Sequence, residues 1–491
     1  MIIPRIPRIL AAVAFMAGVM AWIRFLELDL VLSHYDAKAH LVVARRVIDS
    51  MTPGWKQIGA VWLPLPHLIQ ILPVQVDVFY RTGGFASLVS VLSFAVTVWA
   101  AARLVLAMTG SAVGAATTAF LLILNPNLLY LQSTPMTEPL LLASVFVVVL
   151  WLYEWAAAGA ESRIPGKLGW ALFAAAWTRY EAWLIIAAAV GAVAVCLMRQ
   201  GVPVRRTAVR VGRLAAWPAA AVALFAVNSR VTTGQWFVTG GFYEIDPTYD
   251  GLFLKSVIAV WWGTHQLIGY VVTTLGLMAG GLLLIRALAS RSVVALLIPL
   301  SVFAATALPW LAFFEGHPYR VRYMVVPAAG CALTAGVAVA LVRHRRASMA
   351  LAAMLLVAAV VESPPWSLTM PMVAEAQWDV PRTLERRGVT ECLAGQYQGD
   401  KILASMGSVA HYMQELSRDG FRIADFVHEG NGAIWELALK TGPAPHAGWM
   451  IVEEQSEGGD VLARRMREDV MFARGMQRVC VGGGVALYRR Q

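Results

Sequence analysis

Apolar runs of membrane-spanning length recur from residue 9 to residue 362 and then stop. They fall at 9–30, 85–107, 112–131, 137–157, 167–178, 181–198, 214–230, 263–285, 292–314, 322–342 and 347–362. Most approach the ~20 residues that carry an α-helix through hydrocarbon. After the proline-marked segment SPPWSLTMP (363–371) the pattern changes. KILAS (401–405), GWMIVEE (448–454), QRVCVG (477–482) and VALYR (485–489) have the length and composition of strands. SVAHYMQELSRDG, GAIWELALKTG and VLARRMREDV between them carry helical periodicity. The pattern predicts a polytopic α-helical membrane protein of about eleven transmembrane helices with a small C-terminal α/β domain. Residues 1–362 form the membrane part, with long outer loops at 31–84 and 231–262, and residues 363–491 the α/β domain. No internal repeat is visible.

Composition agrees with the pattern. Hydrophobic residues make up 58% of the 491 positions and charged residues 14%, too little polar surface for a soluble protein of this length. The basic amino-terminal segment followed by an apolar run, with no clear small-residue cleavage site, reads as an uncleaved signal anchor. With the amino terminus in the cytoplasm, the inner loops carry Arg5 and Arg8, then Arg163 and Lys167. Next come Arg199, Arg205, Arg206, Arg210 and Arg213, then Arg286 and Arg291, and finally Arg343, Arg345 and Arg346. Eleven crossings from there put the α/β domain outside the cytoplasmic membrane. The net charge of +10 is mostly this inner-loop excess, and argues for topology and not for nucleic acid. Cys196 and Cys331 lie in spans. Cys392 and Cys480 lie in the C-terminal domain, where an oxidising compartment would let them pair.

Charged residues at the outer ends of spans are the candidates for chemistry. Asp36 and His40 are four apart, so a helix places them on one face. The carboxylate could act as a general base, or as a metal ligand with His40, or merely cap the loop helix. Lys38, Arg45 and Arg46 beside them read as headgroup anchors, as do Trp55, Trp62, Trp261 and Trp262 at the membrane interface. Glu138 opens the fourth span at the same expected depth, where the helix dipole also favours an acid. Two carboxylates at one depth on different helices suggest a shared cavity. WTRYEAW (177–183) supplies Arg179, and EGHPYRVRY (315–323) supplies His317, Arg320, Arg322 and Tyr323. Outer arginines call for partners, and a phosphate matches the guanidinium fork. Pairing of Arg179 with Glu181 or Glu315 is the structural alternative. Lys56 is another outer cation. His265 could bind phosphate or simply hydrogen-bond. Glu244, Asp246 and Asp250 read as solvated loop acids.

Taken together, the first-loop YDAKAHLVVARRV, the WLPLPH that follows, PMTEP, TRYEAW and PYRVRY resemble membrane glycosyltransferases of the GT-C fold. The likeness is to the branch of protein O-mannosyltransferases and lipid A aminoarabinose transferases. It implies transfer of a sugar, with inversion, from a polyprenyl-phosphate carrier to a lipid, glycan or protein acceptor outside the cytoplasmic membrane. It also implies Asp36 as the catalytic base, Glu138 as a second acid of the site, and the outer arginines as ligands for the carrier phosphate. Some relatives carry a lysine before the first-loop prolines, where this chain has Val61 and Trp62; Lys56 could substitute. The sequence requires no cofactor, although Asp36, His40 and Glu138 could hold a divalent metal. The rival readings are a transporter or lipid flippase without chemistry, which would carry midplane charges and repeated halves, and a non-catalytic scaffold.

Overall fold

Eight helices among the described residues are long and apolar enough to cross a membrane: Ile6–Glu27, Gly84–Thr109, Glu138–Ala157, Glu181–Arg199, Val204–Thr233, Tyr270–Ala289, Arg291–Phe314 and Val321–Ala340. The structure, a computed structural model, describes residues 5–159, 164–238, 245–378, 380–455 and 458–491. Arg163 and Glu244 lie outside the described residues.

Several of the eleven expected runs differ from a plain span for local reasons. The 112–131 run breaks into Ala112–Ile123 and Pro126–Leu131. Asn125 caps the second piece, its Oδ1 accepting from Leu128 N–H at 2.9 Å, and Pro126 supplies a first-turn residue that needs no amide partner. The 167–178 run is an 11-residue helix, Gly166–Ala176. The 263–285 run is cut at Gly269, whose φ of 88° ends Phe253–Ile268 before Tyr270–Ala289 begins.

The chain divides into two compact units, the first comprising Met1–Glu27, Ser87–Asn228 and Ile245–Glu375. The most enclosed of the eight spans is Val321–Ala340. Close approach there depends on small residues, as it commonly does where helices meet inside a membrane. A Cβ on Gly336 would lie 1.8 Å from Thr118 Oγ1, and one on Gly276 would lie 2.6 Å from the Cys331 carbonyl oxygen. Thr334 Oγ1 donates to the Gly276 carbonyl at 2.7 Å and so ties Tyr270–Ala289 to the same central helix. The consequence for function is a rigid mount: Arg322 stands in the first turn of that helix.

The second unit gathers Leu28–Ala86, Ser229–Glu244 and Ala376–Gln491. Its sheet has the order β2-β1-β3-β5-β4, with β1 Ile402–Ala404, β2 Phe426–Val427, β3 Trp449–Glu453, β4 Met476–Gly482 and β5 Val485–Arg490. β1 pairs in parallel with β2 and β3, while β5 runs antiparallel to β3 and β4. Four of these strands match the expected segments. The two-residue β2 is too short to leave an alternation in the sequence. Leu403, Met450, Val452, Ala486 and Tyr488 of the sheet pack with Trp435, Ala438 and Leu462 from the helices Ala433–Thr441 and Val461–Glu468. A disulfide joins Cys392, in the helix Val380–Ala394, to Cys480 in β4.

Within this unit the first long loop is built into the α/β fold. Asp49 accepts from the Ile423 and Ala424 amides at 3.2 and 3.1 Å. The Gln57 side-chain amide donates to the Gly430 carbonyl at 2.8 Å, and Lys38 pairs with Glu415. The expectation that Lys38, Arg45 and Arg46 anchor the loop to headgroups is therefore corrected. Arg45 is buried against Asp49 at 3.1 Å, Asp77 at 2.9 Å and the face of Tyr80 at 4.4 Å. Arg46 is buried with the Gln57 carbonyl and Met406 as partners, and burial lowers its pKa to about 10.

Candidate active site

The first unit assembles a buried cluster of carboxylates and guanidinium groups from four places in the sequence. Thr137 precedes the helix Glu138–Ala157, with Pro139 in its first turn, so Glu138 projects from a helix N-terminus. Glu181 occupies the same position at the start of Glu181–Arg199. Arg179 lies in the short turn between Gly166–Ala176 and that helix, and Arg322 in the 3₁₀ turn Val321–Met324 that leads into Val325–Ala340.

Glu138, only 1% exposed, sits between the two arginines. Its Oε1 is 3.0 Å from Arg179 Nη1 and 3.5 Å from Arg322 Nε. Arg179 is held on every side: Nη1 donates to Thr137 Oγ1 at 2.8 Å, Nε to Glu181 Oε1 at 3.1 Å and Nη2 to the same oxygen at 2.9 Å. The structural alternative weighed for Arg179 is thus present, with Glu181 as the partner. Arg322 also faces Glu375, Nη1 to Oε1 at 3.6 Å, and its guanidinium carbon lies 5.5 Å from the Tyr323 ring centre. Buried charge survives in such a place only when paired and hydrogen-bonded. Here three carboxylates and two guanidiniums pair their charges with one another.

The remaining candidates of this unit surround the same turn or stand apart from it. Tyr323 Oη is 3.2 Å from His317 Nε2, and His317 Nδ1 is 2.7 Å from the Pro318 carbonyl oxygen. The carbonyl can only accept, so Nδ1 donates to it. Arg320, half-buried, donates through Nη1 to the Tyr319 carbonyl at 3.2 Å. His265 packs among the rings of Trp261, Trp262 and Tyr270, with centres 5.5, 4.6 and 5.1 Å away.

Asp36, His40 and Lys56 belong to the second unit. Asp36 is in the first turn of the helix Tyr35–Arg45 and is half-buried. It does not cap that helix. His34 does, its Nδ1 accepting from the Asp36 amide at 3.1 Å. His40 is buried, with Nδ1 3.0 Å from His67 Nε2, and both rings lie against Trp62. Burial, reinforced by the charge of Arg46, lowers the His67 pKa to about 3, so that ring is neutral. Trp62 is therefore a packing partner of this pair. Lys56 is exposed on the 3₁₀ turn Trp55–Ile58. Among the described residues, no three His, Cys, Asp or Glu side chains gather so as to hold a metal ion.

Two members of the cluster escaped the reading of the sequence. Thr137 has no charge to flag it. Glu375 stands in the exit segment PMVAEAQ (371–377), where one acid beyond the last span carries no pattern of its own.

The fold itself has a solved counterpart. The chain is similar to ArnT from Cupriavidus metallidurans, whose crystal structure was determined bound to undecaprenyl phosphate; the two are 13% identical, with a TM-score of 0.58 and 97% of each chain covered. At that identity the likeness is one of fold, and it gives this chain the GT-C membrane architecture. No family model and no curated protein matches the sequence.

Proposed function

We propose that this protein is an integral-membrane glycosyltransferase that moves a sugar from a polyprenyl-phosphate-linked donor to an acceptor on the extracytoplasmic side, with inversion. The observation that carries the reading is the buried Glu138–Arg179–Arg322 cluster, in a chain that shares its fold with a protein solved with a polyprenyl phosphate. Guanidinium groups kept in place by internal carboxylates are preorganised for an anion that arrives later. Their charge acts strongly where water is scarce.

In this reading Asp36 accepts the proton of the acceptor hydroxyl as its oxygen bonds to the anomeric carbon. The bond from that carbon to the phosphate oxygen breaks, and the electron pair leaves with the polyprenyl phosphate. Attack from the face opposite the leaving group inverts the centre. General-base help of this kind typically contributes about 10²–10⁴ in rate. Arg322 and Arg179 stabilise the charge that develops on the departing phosphate, and Glu138 holds both in register. Arg320, Tyr323 and His317 border the same turn and complete the phosphate-binding side, with His265 as a further donor.

The reading places the protein in the cytoplasmic membrane with its amino terminus inside and its C-terminal domain outside. The Cys392–Cys480 disulfide supports an oxidising compartment for that domain. Reconstituted protein supplied with a panel of polyprenyl-phosphate-linked monosaccharides, and with membrane lipids and glycans as acceptors, should release free polyprenyl phosphate with at least one donor. No release with any of them would overturn the proposal.

A further inference from the structure

We infer that Glu375 is a positioning residue for Arg322, one that keeps this guanidinium available to a phosphate-bearing lipid instead of letting it collapse onto Glu138. The inference rests on the reading of the cluster as a carrier-phosphate site.

The geometry is that of a counterweight. Arg322 Nε is 3.5 Å from Glu138 Oε1, and Arg322 Nη1 is 3.6 Å from Glu375 Oε1. Two carboxylates thus attract one guanidinium from nearly equal distances. The other oxygen of Glu375 accepts from the Val321 amide at 2.6 Å, so the same side chain also fixes the backbone of the turn that carries Arg322. That amide opens a 3₁₀ turn and has no partner within it, as is general for first-turn amides. Arg179 needs no such device, because Thr137, Glu138 and Glu181 engage all three of its nitrogens. Without Glu375, Glu138 still draws Arg322 from 3.5 Å, and full pairing there would use the hydrogen-bond donors that a phosphate must take.

The test measures binding of undecaprenyl phosphate to protein in lipid nanodiscs, together with donor turnover. Glu375→Ala should weaken binding about tenfold, since one partner of a buried charge contact is removed. It should raise the donor KM by more than it lowers kcat. Glu375→Gln keeps an acceptor for the Val321 amide but loses the charge, and should recover part of the affinity, remaining about threefold weaker than wild type. In an Arg322→Ala background, Glu375→Ala should cost nothing more, because the two side chains act through one contact. Wild-type affinity in Glu375→Ala, or losses that add fully to those of Arg322→Ala, would overturn the inference while leaving the carrier site standing. Absence of binding by the wild-type protein would overturn the functional reading and this inference with it. Should Glu375→Ala not fold, Glu375→Gln decides alone: a reduced affinity supports the inference and an unchanged one overturns it.

Discussion

Replacing Glu138 by glutamine is the sharpest perturbation of the cluster, because it removes one charge and almost no volume. The carboxylate lies 3.0 Å from one guanidinium and 3.5 Å from another and is 1% exposed. At an effective dielectric of ~20, each attraction is worth about 5 kcal/mol before solvation is counted. The amide no longer incurs the carboxylate's desolvation penalty, which offsets several kcal/mol of that sum. Breaking one partner of a buried network leaves a net loss of roughly 3–5 kcal/mol, here sharpened by Arg179 and Arg322 facing each other with less negative charge between them. Glu138→Gln should therefore inactivate faster on heating in detergent, and its donor turnover should fall by about 10²-fold or more, the scale on which a preorganised electrostatic element acts. Thermal inactivation followed by residual transfer measures both. A variant that inactivates and turns over like wild type would refute the argument that this carboxylate holds the arginines.

Two other predictions concern the second unit. Its buried histidines make it acid-sensitive. Burial, with Arg46 nearby, lowers the pKa of His67 and His428 to about 3, and burial lowers His411 well below its ordinary value. Each binds its proton near pH 6.5 when unfolded, so the stability it contributes is present above pH 6.5 and is lost as pH falls toward 3. Asp460, raised to about 7 by burial, acts in the opposite sense, with stability falling as pH rises from about 4 through 7. The net difference of about two protons predicts a slope of about 3 kcal/mol per pH unit between pH 6 and 4.5. Unfolding temperatures across that range should fall steeply and His67→Gln should flatten the slope; a pH-independent transition would contradict the argument. The Cys392–Cys480 bond closes a loop with a sequence separation of 88, which confines the unfolded chain. Reductant, or Cys392→Ser with Cys480→Ser, should cost about 2–4 kcal/mol of stability. An unchanged unfolding midpoint would count against it.

What the sequence disclosed followed from how each element is held. Helices such as Glu138–Ala157 and Glu181–Arg199 begin within a residue of the expected starts, because an acid marks the boundary and uniform apolar composition marks the body. The interruptions at Asn125 and Gly269 occupy single positions inside apolar stretches, so hydropathy passes over them. The misreading of Arg45 and Arg46 has the same root. A hydropathy pattern treats a cation near a span as exposed, whereas the partners that bury these two, Asp77 and Tyr80 for one and the Gln57 carbonyl and Met406 for the other, lie 11 to 360 residues further along the chain. Glu138, Arg179 and Arg322 were visible as outer charges in short motifs, and the structure brings the three together. Glu375 was not, because its role depends on where the chain turns after its last membrane helix.

Sugar transfer, the central claim, is tested most directly at Asp36, in the first turn of the helix Tyr35–Arg45. The decisive measurement compares wild type with Asp36→Asn in a reconstituted transfer assay, with undecaprenyl phosphate binding recorded on the same samples. The account predicts that Asp36→Asn binds the carrier phosphate as wild type does and transfers no sugar. Transfer at the wild-type rate by that variant would contradict it.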